Sequence, residues 1–238
     1  DFLSAYNFKI GRPFIKVSDA ERARAIEEYA AMTDEEFSLP AKLGKPGEGI
    51  TEEGALFHGT NRVFTEFLLN GQGELRDSIN TLGDGVYFVS NPKQAGEYAK
   101  VRATQLKGTI PRVVTARLLP GTRLLDTRNG LPAEIVNDFT AYLQFQKDVY
   151  KRRGLSPFLD AIVKRQKEGL SVDLRAGMPG QGLCSGVPIA NILSARGFDG
   201  VIGFEGGESA GDGKTGRHNT FVVFDPQRII TKEAIADF

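Results

Sequence analysis

The sequence predicts an α+β fold. Five apolar runs have the length of strands: "ALFHG" (55–59), "GVYFV" (85–89), "RVVTARLL" (112–119), "GVIGF" (200–204) and "TFVVF" (220–224). Between them lie segments with the apolar spacing and end signals of helices. In 238 residues, 40% of them hydrophobic, there is enough apolar material for one sizeable core.

In "SDAERARAIEEYAAMTDEEF" (18–37) the pattern predicts one helix, capped by Ser18 or Asp19, with Ala20, Ala23, Ile26, Tyr29 and Ala30 on one stripe. The Pro- and Gly-rich "SLPAKLGKPGEGITEEG" (38–54) reads as a linker. Residues 1–52 are therefore expected to form a helical extension and linker, and 53–238 the main body. After the second strand, Ser90 or Asn91 followed by Pro92 marks a helix start. Residues 131–169 carry helix-period apolar positions broken near Gly154–Pro157, which predicts two helices in an inserted lobe spanning about 131–183. A short helix follows over 187–197, with Gly197 just past its end, and "DPQRI" (225–229) reads as a turn capped by Asp225.

Composition excludes several function classes. Thirty basic and thirty acidic side chains cancel, so no global field steers the chain to nucleic acid or anionic membrane. The basic cluster Lys147, Lys151, Arg152, Arg153, Lys164, Arg165 and Lys167 is interleaved with Asp148, Asp160 and Glu168 and reads as a solvated helix face. One cysteine and two histidines are too few for a structural zinc site, and Cys184 reads as a small buried hydrophobe; no metal is expected. No run approaches the ~20 apolar residues of a membrane span. The first residues show no signal-peptide pattern and no initiating methionine, so the chain reads as a piece of something longer.

One motif is a decoy. Gly213-Lys214-Thr215 has the end of a phosphate-binding loop, but the required earlier glycine is Glu208, and the segment runs into a strand instead of opening a helix. The histidines are more informative. His58 ends an apolar run and is followed by Gly59, whose backbone a planar ligand could approach closely.

"LFHGT", then "GDGVYFVSNPKQAGEY", then "HNTFVVFDPQRI" resembles, in order and local spacing, the three signature strands of poly(ADP-ribose) polymerase-like and diphtheria-toxin-like ADP-ribosyltransferases. The N-terminal region and the helical lobe lie outside the resemblance. It implies two small, mostly antiparallel sheets facing across an NAD cleft, with NAD as the substrate that is split. It also implies site residues. His58 would bond an adenosine-ribose hydroxyl, the Gly59 backbone would clamp the nicotinamide carboxamide, and Thr60 would stand for the family's small hydroxyl residue. Tyr87 and Tyr98 would lie on opposite faces of the nicotinamide ring, a contact worth ~0.5–2 kcal/mol through cation–π attraction.

Two departures stand out. Ala95 occupies a carboxamide-contacting position where many members carry serine, and Thr220 occupies the position of the catalytic glutamate. Threonine can hydrogen-bond a ribose hydroxyl but carries no charge. Glu205, Glu208 and Asp212, just upstream, are candidates for a substitute carboxylate, with Glu208 taken as catalytic alongside Tyr87 and Thr220. The expected activity is transfer of a single ADP-ribose to a macromolecule, protein first and nucleic acid second. NAD glycohydrolysis and an inactive NAD- or partner-binding module are the alternatives, and the compact, decorated layout is similar to that of delivered effectors and toxins.

Overall fold

The computed structural model describes residues 17–64, 67, 85–105, 108–150, 189–205 and 218–236. Helix α1 (Asp19–Ala30) starts at Ser18, whose hydroxyl accepts from the Glu21 N–H while Glu21 reaches back to the Ser18 N–H. This reciprocal box satisfies two orphan donors of the first turn. The hydrogen bonds from Ser18 hold the Glu21 carboxyl below its usual range.

The expected single helix over 18–37 is two. Ala31 closes α1, and Thr33 opens α2 (Asp34–Ser38) with a second box to Glu36. A Thr with Glu three residues on supplies a competing start signal inside the acidic run, so the chain turns there. The buried stripe of α1 also differs: Ala25 and Tyr29 are buried, whereas Ala20 and Ala30 face solvent.

That stripe packs with Val17, Phe37, Leu119 and Ile230. Arg22 donates to the Gln227 and Ile229 carbonyls at 2.8 and 3.0 Å, and Arg117 donates to the Glu36 and Phe37 carbonyls at the end of α2. Tyr29 donates to the Leu118 carbonyl at 2.5 Å, and burial pushes its phenol up to about 12. Its folded pKa thus lies above the ordinary value of 10.0, so the stability it contributes is complete below pH 10 and lost as pH rises towards 12. Alkaline denaturation followed by circular dichroism should show this loss, and Tyr29→Phe should reduce it.

The expected linker is structured. Strands β1 (Lys42–Leu43) and β2 (Ile50–Glu52) pair antiparallel, and Ala41 and Ala55 are joined at 3.0 Å. The turn between them is held from a distance: Asp126 accepts from the Gly47 and Gly49 N–H groups, and Arg128 donates to the Gly44 and Lys45 carbonyls. No local sequence signal carries those partners.

All five expected strands form: β3 (Leu56–Thr60), β4 (Val86–Phe88), β5 (Arg112–Leu118), β7 (Gly200–Glu205) and β8 (His218–Val223). The short β6 (Leu124–Asp126) and β9 (Ile229–Thr231) add to them. One sheet runs β3-β5-β9, all antiparallel; the other runs β4-β8-β7-β6, antiparallel except for β6-β7. The architecture is α+β with small mixed sheets. A core of Leu56, Val86, Phe88, Ala116, Ile202, Phe221, Val223 and Ile229 draws on strands of both sheets, and Leu43 and Ile50 of the hairpin pack against it. At their edges the sheets meet through one reciprocal pair, Phe57 N–H to the Val89 carbonyl at 2.8 Å and Val89 N–H to the Phe57 carbonyl at 3.0 Å.

Helix α3 (Pro92–Gln105) begins as expected, with Asn91 Oδ1 accepting from the Lys93 N–H. Helix α4 (Ala133–Tyr150) is the first of the two helices expected in the lobe; the second and Cys184 lie outside the described residues. Helix α5 (Ile189–Ala195) ends as expected, with Gly197 at φ +78° and the Phe198 N–H on the Leu193 carbonyl. Arg196 grips Asp138 of α4 through two hydrogen bonds of 2.6 and 2.8 Å. Asp225 caps the 3₁₀ turn Pro226–Arg228, and α6 (Lys232–Ala236) follows β9. Among the described residues no helix is long and apolar enough to cross a membrane.

Candidate functional site

Strand alternation decides which candidates share a face. Tyr87 on β4 lies opposite Val222 on β8, Gly203 on β7 lies opposite Thr220, and Glu205 lies opposite His218. Residues two apart on a strand point the same way. Tyr87, Thr220, His218 and Glu205 therefore occupy one face of the four-stranded sheet, while Phe88, Phe221 and Ile202 occupy the other and enter the core.

Helix α3 reaches this face through Tyr98. The Tyr98 hydroxyl lies 2.8 Å from His218 Nε2, and the two rings meet edge-on at 5.6 Å. From the sequence, His218 and Asn219 could both line the mouth beside Thr220, and the structure brings His218 to it. The alternation of "HNTFVVF" places it on the face of Thr220, but nothing local shows that a helix residue 120 positions earlier would meet it.

His58 enters from β3. Its Nδ1 lies 2.8 Å from the Tyr87 carbonyl, and its ring is flanked by Phe67 at 5.2 Å, Phe88 at 5.9 Å and Phe64 at 6.4 Å. A carbonyl can only accept, so Nδ1 carries the hydrogen. The other ring nitrogen, Nε2, is buried. The backbone bond also fixes the imidazole to the strand bearing Tyr87, so these two candidates are joined directly.

Gly59 has two neighbours that matter. On the side where a side chain would project, an added Cβ would lie 2.1 Å from the Ala95 carbonyl oxygen and 2.7 Å from Ala99 N, so α3 rests directly on the strand. In the plane of the sheet, the Phe57 amide and carbonyl point to Val89, away from β5. By the antiparallel alternation Gly59 directs its own N–H and C=O to that same edge, one step beyond the bridge. The glycine thus serves helix packing, and its N–H and C=O are directed to the edge next to β4.

Two residues expected at the cofactor are fully buried. Ala95 is fully buried between α3 and β3, so its side chain offers no surface to a bound molecule. Thr60 is likewise fully buried, and its hydroxyl accepts from the Arg62 N–H at the end of β3, a structural task.

Thr220 is 1% exposed, and its hydroxyl donates to Glu205 Oε2 at 3.3 Å. Position 220 thus carries no charge itself but touches a carboxylate from the next strand. Glu208, expected to be catalytic, lies outside the described residues, as do Asp212 and the phosphate-loop decoy from residue 206 on. Asn219 faces the other way, where its Oδ1 accepts from Arg128. Among the described residues no group of three or more His, Cys, Asp or Glu side chains is placed to hold a metal ion.

No protein-family model matches the chain, and no curated protein matches it.

Proposed function

We propose that the protein is an NAD-dependent mono-ADP-ribosyltransferase with an ADP-ribosyltransferase-like fold, residues 53–238 forming the catalytic unit and 1–52 an extension. One observation carries the reading: the bond between Tyr98 and His218 holds an aromatic residue of α3 over the sheet face that bears Tyr87 and Thr220. Those elements hold two of the three segments that resemble the family, and β3 holds the third.

The available groups suit NAD. The edge-directed N–H and C=O of Gly59 complement a carboxamide, which offers one acceptor and one donor. The two phenol rings can flank a cationic pyridinium, and the resemblance assigns His58 to a ribose hydroxyl. NAD supplies the activated N-glycosidic bond whose cleavage releases nicotinamide. Holding the ring and ribose in one orientation converts the attack of an external nucleophile into a positioned step. The proposed acceptor is a macromolecule, protein before nucleic acid.

Incubating the full chain with NAD carrying a labelled adenylate and mixed protein or nucleic-acid acceptors tests this. Nicotinamide release with labelled acceptor is the expected result, and His58→Ala and Tyr87→Ala should each reduce it by about 100-fold or more. Release without label would identify NAD hydrolysis, and a thermal shift with NAD but no release a binding module. Unchanged activity in both variants would refute the site.

A further inference from the structure

We propose that Glu205 is the catalytic carboxylate of this site, acting from β7 in place of an acid at position 220; the inference rests on the ADP-ribosyltransferase reading. Glu205 Oε2 accepts from the Thr220 hydroxyl at 3.3 Å, and Glu205 stands directly across from His218, which meets Tyr98 at 2.8 Å. A carboxylate, a hydroxyl, an imidazole and a phenol are thereby gathered from two neighbouring strands and one helix.

Other buried or partly buried carboxylates are committed elsewhere. Asp126 holds Arg128 and the hairpin turn, and Asp138 holds Arg196. Asp199 accepts from the Arg123 N–H and pairs with Arg228, and Asp225 caps the 3₁₀ turn. Among these described carboxylates, Glu205 is the one placed on the sheet face with Tyr87 and Thr220.

The chemistry needs such a group. As the bond between the ribose C1′ and nicotinamide breaks, its electron pair leaves with nicotinamide and positive charge develops on the sugar. A nearby anion stabilises that charge, and it does so most effectively where water is excluded. The acceptor's lone pair then forms the new bond to C1′, and its proton passes to the Glu205 carboxylate and on to solvent. Thr220 orients Glu205 through its hydroxyl and is a positioning residue.

The test uses the full chain with NAD, reading nicotinamide release and, separately, the thermal shift that NAD produces. Glu205→Gln should slow release by about 100-fold or more with the thermal shift retained. Glu205→Gln combined with Thr220→Glu should recover to within about tenfold of the wild type, because the charge is returned from the adjoining strand. Wild-type release with an unchanged rate in Glu205→Gln would overturn the role of Glu205 and leave the transferase reading standing. Loss of the thermal shift along with the rate would make Glu205 a structural residue, and would also overturn the proposal. A wild type that is stabilised by NAD but releases no nicotinamide would reject catalysis by Glu205, and one that shows neither effect would reject the transferase reading itself.

Discussion

Asp126→Ala is expected to destabilise the protein by about 3–5 kcal/mol, read as a lowered denaturation midpoint in urea. The carboxylate and Arg128 form an ion pair with side chains 5% and 4% exposed, through bonds of 2.9 Å to Arg128 Nε and 2.8 Å to Nη2. The same carboxylate accepts from the Gly47 and Gly49 N–H groups, both glycines lying at positive φ. Removing it leaves a guanidinium buried without its counter-charge, which costs far more than losing an exposed pair. It also releases the turn that presses Leu43 and Ile50 onto the core.

The pH dependence should follow. Burial pushes the Asp126 carboxyl up, but the hydrogen bonds from Arg128, Gly49 and Gly47 outweigh it and hold the group below its ordinary value of 3.8. A lowered folded pKa contributes stability that is present above the ordinary value and is lost as pH falls through the folded one. Stability should therefore decline below about pH 4, with a shallower acid slope in Asp126→Asn than in the wild type.

Gly59→Ala should lower the melting temperature by roughly 6–12 °C, the shift that a ~3 kcal/mol overpacking penalty produces in a domain of this size. The three atoms nearest the added Cβ would be the Ala95 carbonyl oxygen at 2.1 Å, Ala99 N at 2.7 Å and Tyr98 Cβ at 2.9 Å. The first two are helix backbone, so no side-chain rotation relieves the clash and α3 must move. Tyr98 moves with it, and its bond to His218 should lengthen or break. If NAD turnover is lost in Gly59→Ala, it should fall together with the melting temperature, whereas Tyr98→Phe should remove the bond with little effect on stability.

What could be read from the sequence follows the range of the interactions. The runs that became β3, β4, β5, β7 and β8 carry enough apolar residues to be recognised locally, and the cap before Pro92 is a matter of adjacent residues. Strands β1, β2, β6 and β9 have two or three residues each and no usable period. They exist because distant partners hold them, as Asp126 does for a turn 77 and 79 residues away. Thr33 is also a local signal, its box with Glu36 lying within a run that otherwise favours one helix. At the site, the link between His58 and Tyr87 and the common face of Tyr87 and Thr220 follow from strand pairing. The burial of Ala95 does not, because it depends on how closely a helix settles onto a glycine.

The grip of Arg22 on the Gln227 and Ile229 carbonyls has a kinetic consequence. These bonds span 205 and 207 positions of sequence, so they cannot form on the ribosome until nearly the whole described chain has emerged. Until then Ala25 and Tyr29 lack their final cover, and α1 closes over Ile230 as a late latch. Loop-closure entropy makes such distant contacts slow to gain.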